Sequence, residues 1–476
     1  MKSSQKLKVA MICAEYPPKS GPGPTRMAAF VKGLSHQGFE PIVLTANNDS
    51  KHLISHWKEV IDPFCAENIS KGALGGRGKS QSLIQKVLNF WVPMEPSITL
   101  SLFNLQSVFA RIAKWKRPDC IFVTSNPLAS SVGGILLKFR HRIPLIVEFR
   151  DPWTQNPKRN WPTFFHYLVE NFLERLVLKN ADAIIMNTPT ARQNLLSKYE
   201  WLNALKVHVI SHGFDGVILN RNEKNNGIQN NAKRKIKIAY AGGFYASFNS
   251  ANTHRLNPLR TFKYKLQKFF RYKNNSKLFH IDKKGGYPET ILRAIALCNK
   301  KLGKDAPKVF IDFIGGEPNQ LSRAIEAAGV QDYASILPRV NPNEINNLLK
   351  KYDFLYVTNP PIINSPFVGT KTFNYFATGR PIIAELPECD NARIIQRASA
   401  GWIFHPGDYE EMGKFLTSVI EEYDSQINQS DPDWQYINLF ARHHQVKNLI
   451  NIIEQALGCR SRKTVISEGY KEVSTH

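Results

Sequence analysis

The sequence has few acidic residues and no long hydrophobic run. It contains 39 Asp and Glu against 63 Lys and Arg in 476 residues, which gives a formal net charge of +24. Such a surplus predicts an anionic partner, and a lipid surface and a nucleic acid are the two candidates. No apolar run approaches the roughly 20 residues of a membrane-spanning helix. No signal-peptide pattern precedes the first apolar run either, so we expect a protein that does not cross a bilayer.

The sequence also lacks the spaced ligands of metal and redox sites. No C-x-x-C pattern occurs, and several cysteines fall in apolar runs, which predicts reduced core residues and a cytoplasmic protein. The 13 histidines form no spaced cluster, so His212 and the pair His443-His444 are interpreted as packing or surface residues. Asp431-Pro432-Asp433 precedes an apolar-periodic helix, which favours a turn and an N-cap. We predict no metal and no cofactor. The six cysteines are Cys13, Cys65, Cys120, Cys298, Cys389 and Cys459.

Neither G-x-G-x-x-G nor G-x-x-x-x-G-K-[ST] occurs near the N-terminus, so neither a dinucleotide nor a Walker-type site is supported there. Instead an apolar run at 9–14 enters a loop rich in glycine and proline at 15–26. A helical pattern follows and stops at Gly38, and a second apolar run spans 41–45. This order predicts a strand, a helix and a parallel strand, with a ligand placed at the loop.

Further apolar runs at 119–124, 144–149, 183–186 and 207–210 continue the strand pattern, so the first half is predicted to be a doubly wound α/β sheet. The run at 144–149 leads directly into Arg150 and Asp151. Charged residues at the carboxyl end of a parallel strand lie where open α/β sheets bind ligands. Asp151 is therefore a candidate catalytic or acceptor-orienting carboxylate, and an Arg150–Asp151 structural corner is the alternative.

The stretch 367–384 reads as a turn, a short helix and a buried strand. Gly369 permits close backbone approach, and Thr370 is expected to cap the helix whose first turn carries Lys371. Asn374 follows three residues later on the same helix face, so a diphosphate and a ribose could bind together at a positive helix end. The alternative is an ordinary helix-to-strand connection with a solvated lysine.

The length of the chain suits two α/β domains rather than one core. We expect a first domain at 1–215, a linker at 216–235 and a second domain at 236–433 that is interrupted by an insertion at 247–284. Residues 434–476 are expected to hold a helix from about 436 to 457, which returns to the first domain, and a frayed tail.

The positive charge is concentrated in the insertion. Residues 255–284 contain ten Lys or Arg and one acid, with apolar residues at three- and four-residue steps. This pattern favours a basic amphipathic helix on an anionic membrane surface, and a solvated or disordered insertion is the alternative. A nucleic-acid role ranks last because no nucleic-acid motif occurs. A second apolar stretch, 83–105, would either receive a lipid-linked acceptor or belong to the core.

Taken together, several short segments resemble glycosyltransferases of the family 4 type, in the GT-B class of two facing Rossmann-like domains. The resemblance covers most of the chain and implies that a nucleotide sugar binds mainly to the second domain, the acceptor to the first, and that transfer occurs in the cleft. The matching segments are Tyr16-Pro17-Pro18 with Gly21, Gly23 and Arg26, then 148–153, 181–185, 209–215, 239–243, 313–316 and 369–383.

The resemblance also implies roles for single residues. Lys371 would meet the diphosphate, Gly242 and Gly243 would bind the nucleotide sugar, and Asn374 stands where the family usually has a ribose-binding glutamate. Lys284, after the insertion, would replace a lysine expected soon after the Gly242-Gly243 turn. The remaining implied contacts are Arg339 near the nucleotide, with a surface charge as its alternative, and Gly21, Gly23, Arg26 and Arg150 in the donor and acceptor loop.

The expected activity is transfer of a sugar from a nucleoside-diphosphate sugar to a hydroxyl of a glycan or lipid-linked acceptor. The resemblance implies retention of configuration without a metal, in the synthesis of cell-surface polysaccharide or glycolipid, by a protein peripheral to the inner face of the plasma membrane. Asn374 and the displaced lysine motivate an alternative, a membrane-associated scaffold that keeps the fold without turnover.

Overall fold

The computed structural model describes residues 6–13, 15–17, 19, 21–45, 117–125, 128–161, 163–216, 235–244, 287–303, 306, 308–341, 344–421 and 431–458, with the backbone of a short strand at 60–61. The basic stretch 255–284 with Lys284, the apolar stretch 83–105 and most of the expected linker lie outside the described residues.

The first half forms one parallel sheet of seven strands with the order β3-β2-β1-β4-β5-β6-β7. Its elements are β1 (Lys8–Cys13), α1 (Pro22–His36), β2 (Glu40–Thr45), β3 (Val60–Ile61), β4 (Cys120–Thr124), α2 (Ala129–His141), β5 (Leu145–Phe149), α3 (Phe164–Asn180), β6 (Ala183–Met186), α4 (Pro189–Lys198) and β7 (Val207–Val209).

The second half forms a parallel sheet of six strands with the order β10-β9-β8-β11-β12-β13. Its strands are β8 (Ile236–Ala241), β9 (Val309–Ile314), β10 (Ala334–Leu337), β11 (Phe354–Thr358), β12 (Ile382–Glu385) and β13 (Gly401–Phe404). Its helices are α5 (Glu289–Lys301), α6 (Pro318–Ala328), α7 (Ile345–Leu349), α8 (Thr370–Thr378), α9 (Asp390–Arg397), α10 (Tyr409–Glu421), α11 (Trp434–Asn438) and α12 (Arg442–Ala456).

Helices cover both faces of each sheet, and this explains the uninterrupted apolar strands of the sequence. Every residue of β4, β5, β6, β11 and β12 is buried, because side chains on both faces of these central strands pack under helices. The expected doubly wound α/β class is confirmed. The four described cysteines, Cys13, Cys120, Cys298 and Cys389, are buried and unpaired, as expected.

The C-terminal segment differs from the single helix expected between about 436 and 457. It forms α11 and α12, and the break between them occurs because the chain pairs with the first half there: Phe214 donates its N–H to Phe440 (3.2 Å), and Arg442 donates to Phe214 (3.1 Å). α12 then packs on α1, where Val446 and Leu449 join the core under Phe30. Asp433 caps α11 through the Tyr436 N–H at 2.9 Å, which confirms the predicted N-cap.

α1 begins earlier than expected. The sequence predicts a loop through Arg26, whereas the helix starts at Pro22 with Gly21 as its N-cap residue. Proline is favoured at the first helical position because its missing N–H would have no helical partner there. Gly23 therefore lies in the first turn of a helix rather than in a loop. No helix in the part of the chain that is described is long and apolar enough to cross a membrane.

Candidate functional site

The order of strands reverses at one place in each sheet, between β1 and β4 in the first half and between β8 and β11 in the second. In open α/β sheets, ligands bind outside the carboxyl ends of the strands at such a switch point. The β1 strand leads through a turn to the start of α1, and β11 leads through 359–369 to the start of α8. The two helix starts are thus placed at the carboxyl edges of their sheets.

A cavity of about 270 Å³ lies between the two halves and receives both helix starts. Its walls combine charged groups of the first half with an apolar and amide-lined loop of the second. Because both α1 and α8 turn their N-terminal ends to it, the cavity has a positive dipole contribution from each side. The lining residues are Pro22, Asp151, Lys158, His212, Asn359, Pro360, Ile362, Ser365, Phe367, Val368, Gly369 and Thr370.

A larger and more open depression of about 610 Å³ lies between α9 and β13. All of its lining residues belong to the second half, and Arg393 is its one basic side chain. It therefore brings no group of the first half to a common ligand. We place the candidate site in the smaller cavity, where groups from both halves converge.

α8 packs against the end of β8, where the Ala241 N–H donates a hydrogen bond to the Tyr375 hydroxyl at 3.1 Å. This contact brings the side chain of Lys371 to the turn that follows β8. Its Nζ donates to the Tyr240 hydroxyl (2.7 Å) and the Gly243 carbonyl (3.2 Å), and it lies 4.1 Å from the centroid of the Tyr240 ring. Contact with Tyr240 and Gly243 removes part of the water around the Lys371 ammonium, and this loss of hydration lowers the pKa of Lys371 to about 8.

The turn after β8 needs a glycine for two reasons. Gly242 has a φ of +101°, a conformation that other residues rarely adopt, and a Cβ there would lie 2.9 Å from the Lys371 Cε. Gly242 also donates its N–H to Ile314 at 2.8 Å, which joins this turn to the one after β9. This geometry brings the Gly242-Gly243 turn and Lys371 together; that they bind a nucleotide sugar remains a prediction.

Arg339 follows β10 and lies at the same edge of the second sheet. Its Cα would be 3.3 Å from a Cβ on Gly315, and its side chain is exposed. Asn374 lies one turn beyond Lys371 on α8 and is half-buried; within the described ranges no protein group bonds its side chain. Both residues are thus near the expected nucleotide end.

The expected cap of α8 is wrong in one detail. The N-cap residue is Gly369 and no side chain caps the helix, so Thr370 is its first residue and makes no capping hydrogen bond. The first N–H groups of α8 are therefore left without a side-chain partner. Gly369 and Thr370 line the cavity, where these N–H groups could bind an anion.

Asp151 lies on the opposite wall of the cavity, directly after β5. Its side chain is solvent-exposed within the cleft, but the surrounding protein removes part of its hydration and raises the pKa of Asp151, against the opposing charges of Lys158 and Arg150. The Lys158 ammonium lies 4.5 Å from the centroid of the Phe367 ring, so it reaches from the first half to the second. Burial lowers the pKa of Lys158.

The loop 150–163, which carries Asp151, is fixed from below by two buried carboxylates of α3. Glu170 accepts hydrogen bonds from the indole N–H groups of Trp153 (3.1 Å) and Trp161 (2.9 Å) and pairs with Arg159 at 2.7 Å. Glu174 accepts from the Thr154 N–H at 3.2 Å. All of these partners belong to the loop. The two glutamates therefore fix the conformation of the loop and, with it, the position of Asp151.

Arg26 does not lie on the surface of the cleft, contrary to the expectation that it contacts donor or acceptor. It is 2% exposed, pairs with Glu148 at 2.8 Å, and donates to the carbonyls of Ile210 (2.8 Å) and Ser211 (2.5 Å). With its donors engaged in this way, Arg26 joins α1 to β5 and to the segment after β7. Its role in this arrangement is positioning.

Arg150 and Gly23 form a second contact at the base of the cleft. A side chain at Gly23 would overlap the guanidinium of Arg150, so glycine leaves the space that this guanidinium occupies beside the first turn of α1. Gly21 lies two residues earlier and ends the loop as the N-cap residue. These residues are therefore brought close to the cavity, although only Pro22 of this segment lines it.

His212 and Lys158 are among the cavity residues that sequence reasoning missed. The carbonyls that precede His212 are held by Arg26, and burial beside Arg26, Arg150 and Arg442 lowers the pKa of His212 well below its usual value, so the imidazole is neutral at neutral pH. No local pattern marks Lys158, which the fold brings to Phe367 across 209 positions. In the described ranges no group of three His, Cys, Asp or Glu is arranged to hold a metal ion.

Comparisons with known proteins agree with this architecture. Residues 24–216 match the family model of Glycosyltransferase Family 4. A glycosyltransferase from Rickettsia africae ESF-5 has 14% identity and a TM-score of 0.58, with 95% of this chain and 99% of that chain covered. Sucrose-phosphate synthase from Thermosynechococcus elongatus has 12% identity and a TM-score of 0.60, with 96% and 100% covered.

A third structure, of Anabaena HepE in complex with UDP and glucose, has 14% identity and a TM-score of 0.54, with 94% of this chain and 100% of that chain covered. Among curated proteins no relative matches. At these identities the structures show the fold alone. Residues 24–216 are therefore similar to Glycosyltransferase Family 4, and the chain has the GT-B fold of these structures.

Proposed function

We propose that the donor is a nucleoside-diphosphate sugar whose diphosphate binds between the start of α8 and the Gly242-Gly243 turn. One observation carries this proposal: the Lys371 ammonium is brought to that turn beside a helix end that no side chain caps. A cation and free N–H groups are the donors that a diphosphate accepts from. Gly369 and Thr370 place this end of α8 in the cavity between the halves.

The acceptor hydroxyl is proposed to bind on the first half, at Asp151. Asp151 is the one carboxylate that lines the cavity, and its pKa is raised by burial, which is the direction that strengthens a carboxylate as a base. The bond from the sugar to the leaving phosphate would break ahead of acceptor attack, and the configuration would be retained. Lys371 and the α8 dipole would stabilise the charge on the departing diphosphate without a metal.

Three further residues and the acceptor complete the proposal. Asn374 would bind a ribose hydroxyl through its amide, which neither half of the described chain engages. Arg339 would contact the nucleotide from the end of β10, and Lys284, outside the described residues, would be the second cation for the diphosphate. The acceptor would be a glycan or lipid-linked sugar, handled at the inner face of the membrane with the basic stretch 255–284 as an anchor.

HepE supplies a reason to begin with uridine nucleotides, since that structure contains UDP and glucose. It shares the fold over 94% of this chain. The fold alone does not select the base, so GDP, ADP and dTDP belong in the same trial.

The test is calorimetric titration of the full chain with the four nucleotides, repeated on Lys371→Met, which retains the alkyl stem over Tyr240 and removes the charge. A hydrogen bond to a charged group contributes about 1.5–3 kcal/mol, so we expect one nucleotide to bind and its Kd to weaken roughly tenfold to 150-fold in the variant. Lys414→Met, on the exposed face of α10, is the matched control and should bind like the wild type.

Asp151→Asn belongs in the same titration because it faces the same cavity from the acceptor wall. We expect it to retain nucleotide affinity and to lose sugar transfer, which separates the two halves of the site. If no nucleotide binds the wild-type chain, the proposed donor site is wrong.

That result would favour the alternative, a scaffold with the GT-B fold and no turnover. The specific observation behind it is that the Lys371 ammonium already has two protein acceptors, the Tyr240 hydroxyl and the Gly243 carbonyl, while an amide occupies position 374. In a scaffold, Lys371 would serve only to hold α8 to Tyr240 and Gly243 through these two bonds.

A further inference from the structure

The first three turns of α3 have a polar buried side and an apolar exposed side, whereas Val177 and Leu178 near its C-terminal end are buried in the core. Its buried positions include His166, Glu170 and Glu174, whereas its exposed positions are four large hydrophobic residues and two cations. A surface helix normally shows the reverse arrangement, because burial of apolar side chains stabilises the fold. The exposed set, which we name the α3 outer face, is Phe164, Phe165, Leu168, Phe172, Arg175 and Lys179.

The interior of α3 explains why its inner face is polar. Glu170 and Glu174 are committed to the loop that carries Asp151, through the two tryptophan indoles, Arg159, the Thr154 N–H and a Lys198 ion pair at 3.0 Å. Leu173 and Leu176 still pack against the core from the sides of the helix. Phe164 stacks on Tyr167 at a centroid distance of 6.0 Å, yet its side chain is still 51% exposed.

The outer face is a continuous stripe. Phe165, Leu168, Phe172, Arg175 and Lys179 follow one another at steps of three or four residues, so they lie along one side of a helix about 25 Å long. Their exposure is large: 57% for Phe165 and 64% for Phe172. Three exposed apolar side chains in one stripe, with exposed Phe164 beside them, indicate an interaction surface rather than scattered surface residues.

The charge on the outer face has one sign. No carboxylate is exposed on α3, and both cations lie at the C-terminal end of the stripe. The adjoining turn extends the surface with Trp201, 46% exposed and 5.6 Å from the Lys179 ammonium, and with Leu205, 84% exposed; Glu200 is the acid in that turn. Aromatic rings beside Arg and Lys fit the boundary between acyl chains and anionic headgroups.

We propose that the α3 outer face docks onto an anionic lipid surface. The phenyl rings would enter the interfacial layer, while Arg175 and Lys179 would pair with lipid phosphates. A net charge of +24 favours this occupant over a second copy of the chain, which would be repelled. The proposal does not depend on sugar transfer, and it adds a contact at α3 to the membrane contact proposed for residues 255–284.

Co-sedimentation of the full chain with phosphatidylcholine vesicles containing about 30% phosphatidylglycerol tests this surface. The triple variant Phe165→Ser, Leu168→Ser, Phe172→Ser changes only exposed side chains. We expect at least tenfold weaker binding, with the thermal midpoint and nucleotide affinity unchanged. Unchanged nucleotide affinity separates this surface from the proposed donor site.

The charge contribution has its own matched pair. Arg175→Glu, Lys179→Glu should abolish the preference for anionic over pure phosphatidylcholine vesicles, whereas Lys300→Glu, Lys301→Glu makes the same change in net charge at the exposed end of α5 and should retain the preference. Equal losses in both variants would show that net charge alone attracts the chain and would overturn the assignment to α3.

Other occupants give different results, and each would overturn the proposal. Wild-type vesicle binding by the triple variant would leave the basic stretch 255–284 as the membrane contact. A change of mass in solution without a change in vesicle binding would identify a second copy. If the wild-type protein does not bind vesicles and the triple variant has a lowered thermal midpoint, other residues of the same chain cover this face.

Discussion

At the scale of single residues, the lysine on α8 combines two properties that oppose each other. Its position beside a free helix end suits an anion, yet the wall formed by Tyr240 and Gly243 removes part of its hydration and lowers the pKa of Lys371 to about 8. A diphosphate would favour the charged form, so binding would raise the pKa of Lys371 again. Affinity and protonation are therefore linked at this one residue.

This linkage predicts a pH dependence of donor binding. Below a pH of about 8 the free protein already carries the charge, so binding takes up no proton at this site. Above about 8 the free lysine is neutral and binding must take up a proton, so the affinity should fall as the pH rises. Titrations at about pH 7 and about pH 9 in buffers of different ionisation enthalpy would measure the uptake. Proton uptake in Lys371→Met equal to that of the wild type would contradict this assignment.

Some residues of the site could be predicted from the sequence and others could not. Lys371 and Gly242 stand next to their own local signals, a glycine before a helix and a glycine after an apolar strand. Lys158 and His212 have no such signal, because the fold alone brings them to the cavity. Arg26 was predicted to contact a ligand, and the sequence shows no local partner for its charge that would indicate otherwise. Its partners, Glu148 and the Ser211 carbonyl, are 122 and 185 positions away.

At the scale of elements, the contact between α1 and α12 depends on one glycine. A Cβ at Gly33 would overlap both γ-methyl groups of Val446, which is 7% exposed. The two helices can therefore approach closely only where a side chain is absent. This contact ties the C-terminal helix of the second half to the first half.

Gly33→Ala should destabilise the protein although alanine is the better helix former. The gain in helix propensity is about 1 kcal/mol, whereas overpacking a filled contact costs about 1–3 kcal/mol. We expect a lower thermal midpoint, measured by calorimetry. Val446→Ala in the same chain should restore part of the loss because it opens the space. Additive losses in the double variant would exclude a direct contact between these positions.

The elements themselves were largely predictable from apolar runs. Buried strands such as β5 and β12 are continuous apolar stretches because helices cover both faces of the sheet. The start of α1 was missed because glycine and proline at 21–24 resemble a loop, although proline suits a first helical turn. The break between α11 and α12 was missed because it depends on pairing with Phe214, far away in sequence.

At the scale of the whole molecule, the two halves meet across the cleft through a small set of polar contacts, which we name the latch. Thr188 donates its hydroxyl to the Pro366 carbonyl at 2.9 Å. The Thr190 hydroxyl donates to Asp390 at 2.6 Å and accepts from Arg393 at 3.1 Å. Asp390 is 3% exposed, so these bonds are formed largely away from water.

The latch predicts that polar substitutions far from Lys371 change the arrangement of the halves. Loss of a buried hydrogen-bonded group costs about 1–3 kcal/mol, which corresponds to roughly a 5- to 150-fold shift between closed and open arrangements. We expect Asp390→Ala to increase the radius of gyration measured by small-angle X-ray scattering. The backbone hydrogen bond between Phe214 and Phe440 would remain, so the two halves would move apart at the latch while staying in contact at this bond.

Thr190→Ala distinguishes the latch from a local effect on α9. Asp390 also pairs with Arg393 within that helix at 3.2 Å, so its removal could weaken α9 alone. Thr190 belongs to the first half and meets α9 only across the cleft, and the latch therefore predicts that both single variants open the protein and that the double variant opens it little further. Opening by Asp390→Ala with no change in Thr190→Ala would assign the effect to α9 and leave the two halves uncoupled at this contact.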